Sequence, residues 1–126
     1  MKIKIYNKPQ SVRSISKGWS YKKTPKADFI IKLRDKGELL GVCYLKNNFL
    51  FGLFVNPKYR NKGYGGILIK TAIKVANKQL SLIPLGNDEK LRKYYEKFGF
   101  VGYTGKEVGY EAEDKNWWIM KCIIQK

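Results

Sequence analysis

Alternation between apolar and polar residues marks the opening strands of this chain. "KIKIY" (2–6) alternates and predicts a short strand. "DFIIKLRD" (28–35) predicts a second, closed by "DKGE", a turn in which Gly37 supplies the positive φ. "ELLGVCYLK" (38–46) reads as the return strand, and the asparagines at 47 and 48 suit a tight hairpin. "FLFGLFV" (49–55) is apolar throughout, as expected of a central strand covered on both faces. These last three strands predict an antiparallel meander. Residues 11–26 are weakly patterned and predict no more than a short helix or a loop.

Helical spacing takes over after a glycine-rich turn. Leu68, Ile69, Ala72, Ile73 and Ala76 share one helix face and predict a helix from about Tyr64 to Lys78. Lys70, Lys74 and Lys78 form a row on it without an acidic neighbour, which reads as a solvated face or as one wall of an anion site. "LSLIPL" (80–85) predicts a short buried strand, unpaired on one side near its end because Pro84 lacks an N–H. Asn87 or Asp88 caps a second helix over "DEKLRKYYEKFGF" (88–100), and Gly99 stops it. "FVGY" and "NWWIMKCII" predict a closing pair of strands joined by an acidic loop from Thr104 to Asn116. Trp118, Met120, Cys122 and Ile124 share the core face of the last one. The order is β-β-β-α-β-α-β-β after a short N-terminal region. It predicts an α/β fold around a mixed, mainly antiparallel sheet flanked by helices, in a single domain over residues 1–126.

Composition narrows the chemistry. With 126 residues, 44% of them hydrophobic and 14% aromatic, the chain can bury a core. No apolar run is long enough to span a bilayer, and "MKIKIYNKPQ" lacks the apolar centre of a signal peptide, so a cytoplasmic protein with no membrane partner is expected. Cys43 and Cys122 lie in apolar stretches and read as small buried hydrophobes. There is no histidine, which excludes His-based zinc sites and Ser-His or Cys-His nucleophile pairs; two cysteines cannot complete a Cys-only zinc site, so no metal is expected. The net charge is +16, and no carboxylate occurs from Leu39 to Asn87. Such a field favours polyanionic ligands and leaves nucleic acid open as a partner.

Charge and glycine converge in "NPKYRNKGYGGILIK" (56–70). Gly63, Gly65 and Gly66 lie where a strand has ended and a helix begins, leaving the first helical N–H groups free. Those groups and the helix dipole suit a phosphate or pyrophosphate, and Arg60 and Lys62 add charge. The run fits neither the Walker pattern nor the dinucleotide fingerprint.

"VNPKYRNKGYGGIL" resembles the cofactor motif of the GCN5-related N-acetyltransferase (GNAT) family. That motif is a strand ending V-x-P, then R/Q-x-x-G-x-G/A, then a helix, and Arg60, Gly63 and Gly65 match it. "YYEKFGF" (94–100) is similar to the family's second signature, at the end of the next helix. The resemblance covers about residues 28–124 and implies a GNAT-like fold that binds acetyl-CoA. The backbone of Leu53, Phe54 and Val55 would pair with the pantetheine arm. The amides of Asn61, Lys62, Gly63, Tyr64, Gly65 and Gly66 would hold the pyrophosphate, and the central strand and the next would splay apart to admit the arm.

The resemblance also implies direct attack of an amine on the thioester, with Tyr95 as the matching general acid and the Val55 N–H polarising the carbonyl. Family members often place a carboxylate base on the strands flanking the first helix, and "FLFGLFV" and "LSLIPL" contain none. Glu38, Glu111 or Glu113 would have to reach in from loops, or water would carry the proton. Asp88 stands where the family often has a cofactor-touching asparagine, and Asn87 is one residue away. The acceptor stays open among a small amine, a protein N-terminus or lysine, and an aminoacyl-tRNA. Either a monomer or a dimer fits. The alternative reading is a catalytically idle module on the same fold that holds nucleic acid or an acidic protein.

Overall fold

The protein is described by a computed structural model over residues 1–7, 26–84, 88–104 and 118–124. Its elements are β1 (Lys2–Tyr6), β2 (Phe29–Asp35), β3 (Glu38–Lys46), β4 (Phe49–Val55), a 3-10 turn (Pro57–Tyr59), α1 (Tyr64–Val75), β5 (Gln79–Leu82), α2 (Glu89–Glu96), β6 (Val101–Thr104) and β7 (Trp118–Ile123). Among the described residues the strands form one sheet in the order β1-β2-β3-β4-β5-β7-β6. All neighbours are antiparallel except β4 and β5, which are parallel. The mixed, mainly antiparallel α/β architecture is the one expected. The N-terminal region adds β1 as an edge strand.

Local chemistry explains the hairpins. Lys36 and Gly37 (φ 50° and 79°) turn β2 into β3, and Asn47 and Asn48 (φ 51° and 59°) turn β3 into β4. Two consecutive left-handed residues match the twist of the flanking strands, and asparagine tolerates that conformation better than most residues. Asp28 Oδ2 accepts from the Asn47 N–H at 2.7 Å, and Asn48 Oδ1 accepts from the Asn77 N–H at 3.0 Å. The hairpin is thereby tied to the chain that leaves α1.

Strand alternation divides the core. Ile31, Leu33, Cys43 and Leu45 face α1, whose Leu68, Ile69 and Ala72 are fully buried against them, and Tyr95 of α2 joins the same cluster. On the other face Ile30, Val42 and Tyr44 pack with Ala27. Cys43 and Cys122 are buried free thiols.

A bulge on β4 opens the sheet. Tyr44 pairs with Gly52, but the next β3 residue, Leu45, pairs with Leu50, so Phe51 is an extra residue in β4. A bulge bends its strand and raises the local twist. β5 pairs with β4 only at Phe49 and Leu50, the two positions before the bulge. Beyond it the strands part. The expectation that β4 is covered on both faces is corrected accordingly: Phe51, Leu53, Phe54 and Val55 are only partly buried.

Two boundaries also differ from expectation. α1 ends at Val75 and not near Lys78, because Ala76 is extended (ψ 152°) and Lys78 adopts φ 64° to turn the chain into β5. β5 stops at Leu82, so Pro84 lies past the strand. Asp88 is the cap of α2, accepting from the Lys90 N–H at 2.9 Å, and Gly99 (φ 95°) follows the helix end as expected. Residues 105–117, which hold nearly all of the acidic loop including the candidate bases Glu111 and Glu113, lie outside the described residues, as does Asn87. No helix among the described residues is long and apolar enough to cross a membrane.

Candidate active site

The gap between β4 and β5 is a cleft of about 890 Å³ whose lining includes Leu50 and Leu82 where the strands still pair, and Arg60, Asn61, Gly63, Tyr64 and Gly65 at the start of α1. Backbone direction along β4 follows from its one-sided pairing. The Asn56 N–H donates to Leu40 O of β3 at 2.8 Å. Successive residues of an extended strand present their polar groups to opposite edges. The N–H groups of Val55 and Leu53 therefore face the gap, where β5 no longer pairs with them.

The cleft ends on the start of α1. Gly63 caps the helix with φ 85° and offers no side-chain hydrogen bond, and no acidic residue occupies the first turn. The first intrahelical bond is Ile67 N–H to Gly63 O at 3.3 Å, so the N–H groups of Tyr64, Gly65 and Gly66 precede the ladder. An anion placed there gains about 0.3–1 kcal/mol from the dipole when exposed and up to about 2 kcal/mol when partly buried. Asn61 (φ 63°) and Gly63 give the approach loop two left-handed turns, and Lys62 Nζ lies 5.5 Å from the Tyr59 ring centroid.

The loop is held to β3 at two points. The buried Asn56 accepts from the Lys58 N–H at 3.1 Å through Oδ1 and donates through Nδ2 to Leu39 O at 3.1 Å. Tyr59 Oη donates to Glu38, and that hydrogen bond is the main cause holding the Tyr59 pKa above its usual value. Lys58 Nζ lies 3.8 Å from the same carboxylate. Glu38 is thus a latch on the loop and not a lining group of the cleft, which corrects its candidacy as a base. No local pattern in the sequence signals the Tyr59 contact; Asn56 before Pro57 is the local sign that a capped turn begins there.

Two tyrosines of α2 form the opposite wall. Tyr95 is 8% exposed and packs edge-on against Phe100 (5.9 Å) and Tyr94 (5.6 Å). Burial pushes its pKa up to about 12, with smaller contributions from Tyr94 and Cys43. Tyr94 is also raised by burial. Both remain protonated through the neutral range and can donate.

Of the expected cofactor residues, Leu53, Phe54, Val55, Arg60, Asn61, Gly63, Tyr64 and Gly65 line the cleft, as does Tyr95. Lys62 and Gly66 are not in the lining. A Cβ on Gly66 would sit 3.2 Å from Phe98 Cζ, so this glycine lets α1 approach α2. Gly65 is similar: its Cβ would lie 3.2 Å from Tyr94 Oη. Asn87 falls outside the described residues. Lys70, Lys74 and Lys78 are exposed and away from the cleft, in keeping with a solvated face. Among the described lining residues there is no carboxylate.

The family model described as the acetyltransferase (GNAT) family matches residues 3–100. No curated protein matches the chain. Among solved structures, a protein from Pyrococcus horikoshii OT3 is similar at 16% identity, covering 77% of this chain and 66% of its own, with a TM-score of 0.60. The PaiA N-acetyltransferase of Thermoplasma acidophilum, in complex with coenzyme A, is 21% identical over 75% of this chain and 60% of its own, with a TM-score of 0.55. N-acetylglutamate synthase from Neisseria gonorrhoeae, complexed with coenzyme A and N-acetyl-glutamate, is 18% identical over 77% of this chain and 26% of its own, with a TM-score of 0.54. The chain therefore spans about two thirds or less of the length of these structures. At these identities the likeness concerns the fold.

Proposed function

The chain belongs to the acetyltransferase (GNAT) family, and from that premise we propose that it transfers an acetyl group from acetyl-CoA to an amine by direct attack, with Tyr95 as the general acid. The observation that carries this reading is the meeting of the β4–β5 gap with the uncapped start of α1 in one cleft. An extended arm with amide groups can pair with the gap-facing backbone of Leu53 and Val55. A pyrophosphate at its end reaches the N–H groups of Tyr64, Gly65 and Gly66, with Arg60 alongside. Coenzyme A combines those two features, and it is the ligand in the Thermoplasma and Neisseria complexes.

The Val55 N–H polarises the thioester carbonyl, a preorganised donor aimed at the oxygen on which charge develops. Tyr95 holds its proton to about pH 12 and passes it to the departing thiolate. The lining supplies no carboxylate base among the described residues, so the incoming amine sheds its proton to water. That arrangement favours an acceptor of low pKa, such as an α-amine near 8, over a lysine side chain near 10.4.

Thiol release from acetyl-CoA, followed with a panel of amines, tests the proposal. Amine-dependent release is expected, faster for α-amines than for lysine side chains. Release no faster than without protein for every amine would leave the chain as an idle module of this fold.

A further inference from the structure

The β1–β2 end of the sheet carries charge that the cleft does not use. The register sets Lys2 opposite Arg34 and Lys4 opposite Lys32, two like-charged cross-strand pairs in succession. Residues directly opposite have Cβ atoms within about 5 Å, and like charges there are destabilising. Alternation along both strands puts all four on one face. Lys4 Nζ and Lys32 Nζ converge on the Tyr6 ring, 5.1 and 4.7 Å from its centroid. Lys32 is 6% exposed, and burial, then Arg34 and Lys4, hold its pKa below the usual lysine value.

The other cations are within reach of a ligand. Lys2, Lys4 and Lys36 are exposed and Arg34 is half-buried, and among the described residues none of them makes an ion pair. They line a groove of about 720 Å³ together with Asp35, whose carboxylate meets the amino group of Met1 at 3.4 Å.

Lysines on an edge strand discourage pairing with a foreign strand. That function needs only β1. Lys32 and Arg34 stand on β2, inside the sheet, where mutual repulsion protects no edge. The composition extends the same bias: residues 1–27 hold eight Lys or Arg and no Asp or Glu, with Tyr6, Trp19 and Tyr21 among them. Tyr6 stands on the same face as the four paired cations, whereas Ile3 (47% exposed) and Ile5 (45%) alternate to the opposite face of β1. Cations that track a phosphate backbone, with aromatic groups on which bases stack, characterise surfaces for single strands.

We propose that the β1–β2 edge binds a single-stranded nucleic acid, with Lys2, Lys4, Arg34 and Lys36 on its phosphates. The phosphates supply the countercharge that the block of cations lacks. This surface is separate from the cleft, whose lining includes none of the four, and does not depend on acetyl transfer.

The test is fluorescence anisotropy of a labelled single-stranded RNA of about 20 nucleotides with the full chain, between roughly 50 and 200 mM salt. Binding that weakens steeply with salt is expected. Converting all four to glutamine (K2Q, K4Q, R34Q, K36Q) should lower the log–log salt slope by about 3, at about 0.7 per phosphate contact, and weaken binding at least tenfold at the lowest salt. The pair K2Q/K4Q, confined to the edge strand, should lower the slope by about 1.4 and guards against misfolding of the larger variant. A control with Lys70, Lys74 and Lys78 converted to glutamine should leave the slope within about one of the unaltered protein. The proposal is overturned by absence of RNA binding at the lowest salt, or by a control that loses as much as the fourfold variant. Binding to phosphatidylserine vesicles without binding to RNA overturns it as well, assigning the edge to a lipid surface.

Discussion

Replacing Tyr95 with phenylalanine removes one hydroxyl from the wall of the cleft and leaves the ring where it is. The edge-on contacts with Phe100 and Tyr94 at 5.9 and 5.6 Å involve the ring alone. The hydroxyl has no protein hydrogen-bond partner among the described residues, so its loss should change stability at neutral pH by no more than about 1 kcal/mol. A positioned general acid contributes about 10²–10⁴ in rate, or roughly 3–5 kcal/mol of barrier. The variant should therefore lose at least a hundredfold in kcat while its Kd for acetyl-CoA, measured by calorimetry, stays within about threefold. A pH readout accompanies it. Folded, the phenol keeps its proton to about pH 12; unfolded, it releases it near the ordinary value of 10.0. Between those limits the folded state binds more protons, so stability falls as pH rises, by roughly 3 kcal/mol, and below pH 10 nothing is lost. Y95F should erase that part of the decline in denaturant titrations. A variant with unchanged kcat, or one whose Kd worsens as much as its rate, would refute the assignment of the proton to Tyr95.

Three further substitutions probe the framework of the cleft. Gly65→Glu puts a Cβ 3.2 Å from Tyr94 Oη and a carboxylate at the anion cradle; acetyl-CoA affinity should fall at least a hundredfold by calorimetry, and retained affinity would move the site elsewhere. Gly41→Ala places a methyl 2.8 Å from Leu68 Cδ1 and 3.0 Å from Phe54 O, so the urea midpoint should drop with a loss of about 1–3 kcal/mol; an unchanged midpoint would show that α1 is not pressed onto β3. Tyr59→Phe frees the approach loop from Glu38; a several-fold weakening of acetyl-CoA binding is expected with kcat preserved, and a kcat loss with unchanged Kd would contradict the latch.

Much of this architecture is written in local pattern. β2, β3 and β4 appear where alternation and turn chemistry put them, because the Asn47–Asn48 pair and Gly37 leave the chain few other ways to turn. The start of α1 was equally legible, since glycine, absent carboxylates and helical spacing coincide there. The end of α1 was not. Apolar spacing continues to Ala76, but the contacts that pull Asn77 onto Asn48 come from a hairpin 29 residues earlier. The cause of the β4–β5 gap was also hidden. Gly52 inside an apolar strand hints at a bulge, yet the extra residue shows only in the register between β3 and β4. Gly65 and Gly66 suggest closeness to a ligand, and their missing side chains also admit Tyr94 of α2 and Phe98 just beyond it. Glu38 carried the same ambiguity: a carboxylate near the loop reads as a base until its partner, Tyr59, is known.

Isothermal titration of acetyl-CoA into the full chain bears most directly on the joined gap and helix start as a coenzyme A cradle. Saturable binding at one site per chain is expected, absent in Gly65→Glu, with the unfolding free energy raised by about 2.7 kcal/mol at a hundredfold excess over Kd. No heat of binding, together with an unfolding midpoint that acetyl-CoA does not move, would contradict it.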